Sequence, residues 1–337
     1  MTFKTWITQL FSSPPDAAAT GAAVPQQPAS AAAPIAATSA PAIDLSPAAI
    51  DTLYYRWITD ASANDAAAQP ALDKAILDAL ARLIASPGAG ADLVPRVPAV
   101  IPQLLRSLRD ESLSGADLAR QLAQDVVLVA EVIREANSPF YHPTAPVKTI
   151  EGAVMLLGQN GLRMLIARVS FRPIISMQSG QHARQAAPAI WAQSEKCAHA
   201  ASLLAPAMDA NPFEAYLASL MQNVGLIVAF RLIDQMHSGP ALPQSPQFTQ
   251  ALLADAHTLS ARIALLWDFP ATVSAAIAQA GEADAPALAR ALALADRVSK
   301  LRLLADAGQF DIDTADLRAA LTPPECACFD KLTTEED

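Results

Sequence analysis

The amino-acid sequence predicts an all-α fold. Alanine, the best helix former, is abundant in a chain that is 52% hydrophobic and only 5% aromatic. Apolar residues recur at helical spacing through most of its length. No Asn-Gly or Asp-Gly turn joins two alternating runs; the near miss, Gln159-Asn160-Gly161, sits between helical patterns.

Each element has a local reason. In "MTFKTWITQLF", residues 1–11, Phe3, Trp6, Ile7, Leu10 and Phe11 share one face of a short helix. Residues 12–43 are mostly Ala, Pro, Ser, Thr and Gln, a composition that cannot bury enough surface to offset its ordering entropy; they read as a disordered linker. A helical pair is predicted over 44–90. Ser46-Pro47 supplies an N-cap and a first-turn proline, and Ile50, Leu53, Tyr54 and Trp57 form a stripe. "ALDKAILDALARLI" is the second helix, before the breakers of "SPGAGADLVPRVP".

From Val97 a larger helical body follows. Ser114 and Asp117 have capping-box spacing and open "SGADLARQLAQD", which "VVLVAEVIREAN" follows. Thr149 caps "TIEGAVMLLG", with a further helix after Gly161. "RPIISMQSGQHARQAA" reads as a loop, so the next helix is expected to start at Pro188. Asn211-Pro212 opens "EAYLASLMQNVGLIVAFRLI", which reads as one helix buried on every side. Later helices fall near Thr249–Trp267, Pro270–Ala280 and Pro286–Leu304, with a C-terminal helical tail over 305–337.

The totals limit function. The net charge is -10, and no stripe of Lys and Arg exists to hold a phosphate backbone, so nucleic acid is excluded as a direct partner. Three cysteines suit a reducing cytosol; Cys326-Ala327-Cys328 lacks the second ligand pair of a metal clip and reads as two incidental thiols. No apolar run reaches the roughly 18 residues of a membrane span, and residues 1–30 lack the pattern of an export signal. A cytoplasmic protein is expected. Among the histidines, Glu195 and His199 at i, i+4 read as a solvated pair, and His257 as a surface or cap residue. No phosphate-binding lysine loop or GxGxxG appears.

Within the long apolar helix, Gln222 and Asn223 are adjacent amides among Leu217, Leu220, Met221, Val224 and Leu226. Several ordered motifs surround them. "REANSPFY", "VKTIEGAVMLLGQNGLRMLI", "IWAQSEKCAHAASLLA", "EAYLASLMQNVGLIV", "LLWDFPATVSAAIAQA" and "ALALADRVSK" together resemble an HDOD domain from about Val97 to Leu304. Asn137, Ser138, Tyr141, Gly158 and Trp267 fall on the family's motif positions.

The resemblance implies a two-lobed module, with lobes at about 97–175 and 186–304. HDOD domains resemble the HD phosphohydrolase superfamily, whose catalytic members hold metal through a His…His-Asp…Asp set. Carried onto this chain, those positions are Gln193, Gln222-Asn223 and Asp296, so the resemblance implies a degenerate site. Neutral amides are feeble ligands, and one carboxylate cannot hold a catalytic ion.

The expected function is a non-catalytic bacterial signal-transduction protein that contacts other signalling proteins, with no cofactor and no catalytic residue. Two alternatives stand beside it. The remnant pocket of Gln193, Gln222, Asn223 and Asp296 senses a small ligand rather than forming an internal polar network, or the chain is a metal-dependent phosphohydrolase. The 1–11 helix docks on a partner, on a membrane surface or on its own body.

Overall fold

The computed structural model describes residues 44–61, 69–86, 93–94, 115–122, 126–138, 141, 143–176, 178–239, 241–310 and 315–332. The short helix carrying Phe3, Trp6, Ile7, Leu10 and Phe11, the 12–43 linker, His142 and Ser114 lie outside the described residues. Among the described residues every regular element is helical, which is the fold class the sequence predicts.

Helix α1 (Pro47–Ile58) starts where the Ser46 hydroxyl accepts a hydrogen bond from the Ala49 N–H at 3.4 Å. It buries Ile50, Tyr54, Tyr55 and Ile58, and α2 (Pro70–Ala85) buries Ile76, Ala79, Leu80 and Leu83 at matching helical spacing. Tyr55 lies 6.4 Å from the ring of Phe230 and 6.2 Å from that of Phe248, so this pair packs on the main body.

Helices α3 (Gly115–Leu122), α4 (Val126–Ala136) and α5 (Ile150–Ser176) form the next layer. The sequence places a loop after Phe171, but α5 runs through Pro173 to Ser176. Phe171, Ile174 and Ile175 are buried, and their packing outweighs the lost backbone bond at the proline. The expected interruption inside this helix is real and falls at Gly158, whose φ of 70° is accessible to glycine without strain.

Helix α6 (Gln181–Leu204) begins seven residues before the expected Pro188. Gly180 gives it no side-chain cap. The cap comes from Asp234, whose carboxylate accepts the N–H groups of Gln181, His182 and Ala183 at 3.1, 2.8 and 3.0 Å. An anion on a helix N-terminus is favourable, and a partner so distant in sequence hides the true start.

A 3₁₀ turn (Ala205–Met208) leads to α7 (Pro212–Met221), then α8 (Val224–Met236), α9 (Pro246–Leu266), α10 (Ala271–Gln279), α11 (Ala287–Asp306), α12 (Ala315–Ala320) and α13 (Pro323–Lys331). Asn211 and Ser245 cap α7 and α9 with their side chains. The central α6 packs against α5, α7, α8 and α11, and α9 packs on α8 and α10. Buried Ala183, Ala186, Ala187, Ala198, Ala200 and Ala201 let α6 come close to its neighbours. The stretch Pro212–Met236 is long and apolar enough to cross a membrane, but 89% of its apolar window is buried; it is the core of the bundle.

Candidate functional site at the interrupted helix

The long apolar run is not one helix. It breaks at Gln222 and Asn223, between α7 and α8, and the cause is Ser260 on α9. The Ser260 hydroxyl donates to the Gln222 carbonyl at 2.5 Å and accepts from the Gly225 N–H at 2.8 Å. A side chain inserted in a helical ladder kinks it. The Leu226 N–H turns to the Asn223 carbonyl, three residues back, at 3.1 Å. Gly225 makes the approach possible, since a Cβ there would lie 2.0 Å from the Ala256 carbonyl oxygen.

On a regular helix, adjacent side chains diverge by about 100°. At this break both amides reach α6. Gln222 donates to Cys197 Sγ at 3.1 Å and to Asp296 Oδ1 at 3.1 Å. Asn223 donates to Gln193 Oε1 and, at 2.9 Å, to Ser194 Oγ. Gln193 donates in turn to Asp296 Oδ1 at 2.8 Å and Ser299 Oγ at 3.1 Å. Gln193, Gln222 and Asn223 are buried. The structure therefore joins Gln193, Gln222, Asn223 and Asp296 in one hydrogen-bonded network.

Five members escape the sequence reading: Ser194, Cys197, Ser299, Lys300 and Asp51. Lys300, one turn after Asp296 on α11, places its ammonium 2.6 Å from Asp296 Oδ2 and 2.7 Å from Asp51 Oδ1 on α1. It also lies 5.4 Å from the centre of the Tyr54 ring. Burial pulls the Lys300 pKa down, but the two carboxylates and their hydrogen bonds outweigh it, so the ammonium is held more firmly than usual. The Asp296/Lys300 spacing of i, i+4 was readable; Asp51, 249 residues from Lys300, was not. Burial pushes the Cys197 thiol up to about 12, so it acts as a neutral acceptor and not a nucleophile.

His257 corrects the surface-or-cap expectation. It sits in mid-α9, partly buried, where Asp296, Lys300 and Asp51 all act on it. Glu195 and His199 are not a solvated pair either. Glu195 accepts from Arg168 Nε at 2.5 Å, and Arg168 also pairs with Glu135 at 2.7 Å, tying α6, α5 and α4 together.

The motif residues have structural tasks. Asn137 donates to the Val147 carbonyl at 2.8 Å and accepts the Val147 N–H at 2.7 Å, drawing the chain back to the end of α4. Ser138 and Tyr141 lie in the turn after it, where the Tyr141 N–H bonds the Ser138 carbonyl at 3.2 Å. Gly158 is the kink of α5, and buried Trp267 closes the C-terminus of α9.

Gln193, Gln222, Asn223 and Asp296, which the resemblance sets at metal positions, do not fit a divalent ion. Three are neutral amides, two of these turn N–H groups toward the single carboxylate, and Lys300 already pairs with it. Among the described residues no group of three or more His, Cys, Asp or Glu is placed to hold a metal.

A solved HDOD domain protein of unknown function from Geobacter sulfurreducens is 24% identical, with a TM-score of 0.56 over 77% of this chain and 90% of that one. A protein from Shewanella amazonensis, provisionally named a metal-dependent phosphohydrolase, is 16% identical with a TM-score of 0.50 over 78% of this chain and 98% of its own. A Marinobacter aquaeolei protein, provisionally named for signal transduction, is 21% identical with a TM-score of 0.50 over 86% of this chain and 64% of its own. These likenesses concern the fold. An uncharacterized protein of Treponema pallidum is 23% identical over 149 residues, 44% of this chain; the match spans 28% of that relative's length. The HDOD domain family model matches residues 94–283, more than half of the sequence. The chain belongs to the HDOD domain family.

Proposed function

We propose that this chain is a non-catalytic, cytoplasmic regulatory protein of bacterial signal transduction, acting through protein contacts of its HDOD module and using no cofactor. Membership of the family and the likeness to a protein named for signal transduction support the regulatory role. One observation carries the non-catalytic part: the remnant site is a closed set of amide donors around Asp296, itself neutralised by Lys300. Metal-assisted hydrolysis needs ligands that hold an ion and acidify its water, and this set offers neither.

The first test is chemical. Purified full-length protein, supplied with Mn²⁺ or Mg²⁺, should hydrolyse phosphomonoesters and phosphodiesters no faster than buffer. Hydrolysis that disappears with a chelator and returns with the metal would refute the proposal. The partner is sought by comparing proteins retained by the full chain with those retained by a chain lacking residues 1–43. If the 1–11 segment is the docking element, Trp6→Ala should weaken capture roughly tenfold and leave the thermal midpoint unchanged.

A further inference from the structure

Asp296 is the carboxylate beside the amides of Gln193 and Gln222 inside a helical bundle, where an unpaired charge is costly. The superfamily's set balances a divalent ion with two carboxylates. In this chain Asn223 stands at one of those carboxylate positions, leaving one negative charge in the set. A single positive charge now suffices, and Lys300 supplies it at 2.6 Å.

The amides follow the same logic. An imidazole ligand turns a lone pair inward to a metal, but a carboxylate at the centre requires inward donors. Gln193 and Gln222 both present N–H groups to Asp296 Oδ1, at 2.8 and 3.1 Å. The amides at 193, 222 and 223 and the lysine at 300 thus form one charge-balanced set around Asp296.

We propose that Lys300 is the resident cation of this module, its ammonium taking the electrostatic place of a metal ion and, through Asp51, fastening α1 over that position. Helix α1 precedes the family-matched span of 94–283, yet its Asp51 is the second carboxylate on Lys300 at 2.7 Å and its Tyr54 ring lies beside the ammonium. Asp296 and Lys300 follow that span, so residues on both sides of the family-matched region form this ion cluster. The proposal builds on the non-metal reading above but makes a separate claim, that the lysine itself excludes a metal.

The test uses the full chain carrying Gln193→His, Gln222→His and Asn223→Asp, with Lys300 retained or changed to Met, titrated with Mn²⁺ alone by calorimetry. The lysine-free variant should bind about one Mn²⁺ per chain, and the lysine-retaining variant roughly tenfold or more weakly. Equal affinity in the two overturns the proposal, whatever the wild-type protein hydrolyses. A second measurement needs no restored ligands: thermal midpoints of Lys300→Met, Asp296→Asn and the double substitution. Charge balance predicts that the double variant lies closer to wild type than Lys300→Met does, and that Asp296→Asn rescues a Lys300→Met chain that fails to fold. A double variant no more stable than Lys300→Met also overturns it.

Discussion

Asn223 shows how a single amide is spent in this interior. Its Nδ2 serves Gln193 Oε1 and Ser194 Oγ, and Gln193 donates its own amide N–H to Asp296. Asn223→Leu leaves the Gln193 carbonyl oxygen without that donor at a buried position. The expected loss is about 1–3 kcal/mol, read as a lower denaturant midpoint at unchanged slope; an unchanged midpoint would mean that water or another group already serves Gln193. Gln193, Gln222, Asn223 and Asp296 were singled out from ordered motifs, and the structure brings the four side chains together. Lys300 was half legible, since its i, i+4 relation to Asp296 stands in the sequence. Asp51 was hidden because no local pattern links residues 249 apart.

Helices α7 and α8 show the same division among elements. Their apolar content was plain in the sequence, but the break between them depends on Ser260 of another helix. Gly225 sits at that contact, where an added methyl would meet the Ala256 backbone at 2.0 Å. Backbone cannot swing aside as a flexible side chain can. Gly225→Ala should therefore destabilise by about 1–3 kcal/mol or more through overpacking, despite alanine's better helix propensity; a stabilised variant in thermal or denaturant unfolding would show that α9 yields. The loop predicted after Phe171 failed for a related reason. Sequence signals weigh Pro173 and Pro188 as breakers, while the packing of Ile174 and Ile175 and the Asp234 cap decide the outcome.

Across the whole molecule, the all-α class followed from composition and period, while the docking of α1 and α2 rests on long-range contacts such as Tyr55 with Phe230 and Phe248. Stability should also depend on pH as a property of the assembled body. Burial lowers the pKa of His257, with Lys300 adding to the effect and Asp296 and Asp51 opposing it; burial likewise lowers His199, with Lys196, Lys331 and Arg168 adding. Below the ordinary value of 6.5, the unfolded chain then binds more protons at these sites than the folded one. The linkage slope is positive, so stability falls as pH drops through and below 6.5 and levels off above it. Glu195, whose pKa burial raises against the pull of Arg168, acts in the opposite sense: its contribution is full below the ordinary value of 4.5 and is lost as pH rises above it. Replacing both His199 and His257 by Gln should flatten the thermal midpoint between about pH 7.5 and 5.5; a profile as steep as the wild type's would assign the acid sensitivity elsewhere.

The cap on α6 has a consequence for synthesis. Asp234 follows the N–H groups it receives by 51 to 53 residues. A ribosome adding about 5–20 residues per second needs roughly 3–10 s to cover that distance. Throughout that interval the first turn of α6 lacks its capping carboxylate, and its N–H groups are left to water. Emergence of α8 ends the wait, because one carboxylate then closes the turn and fixes where the central helix begins.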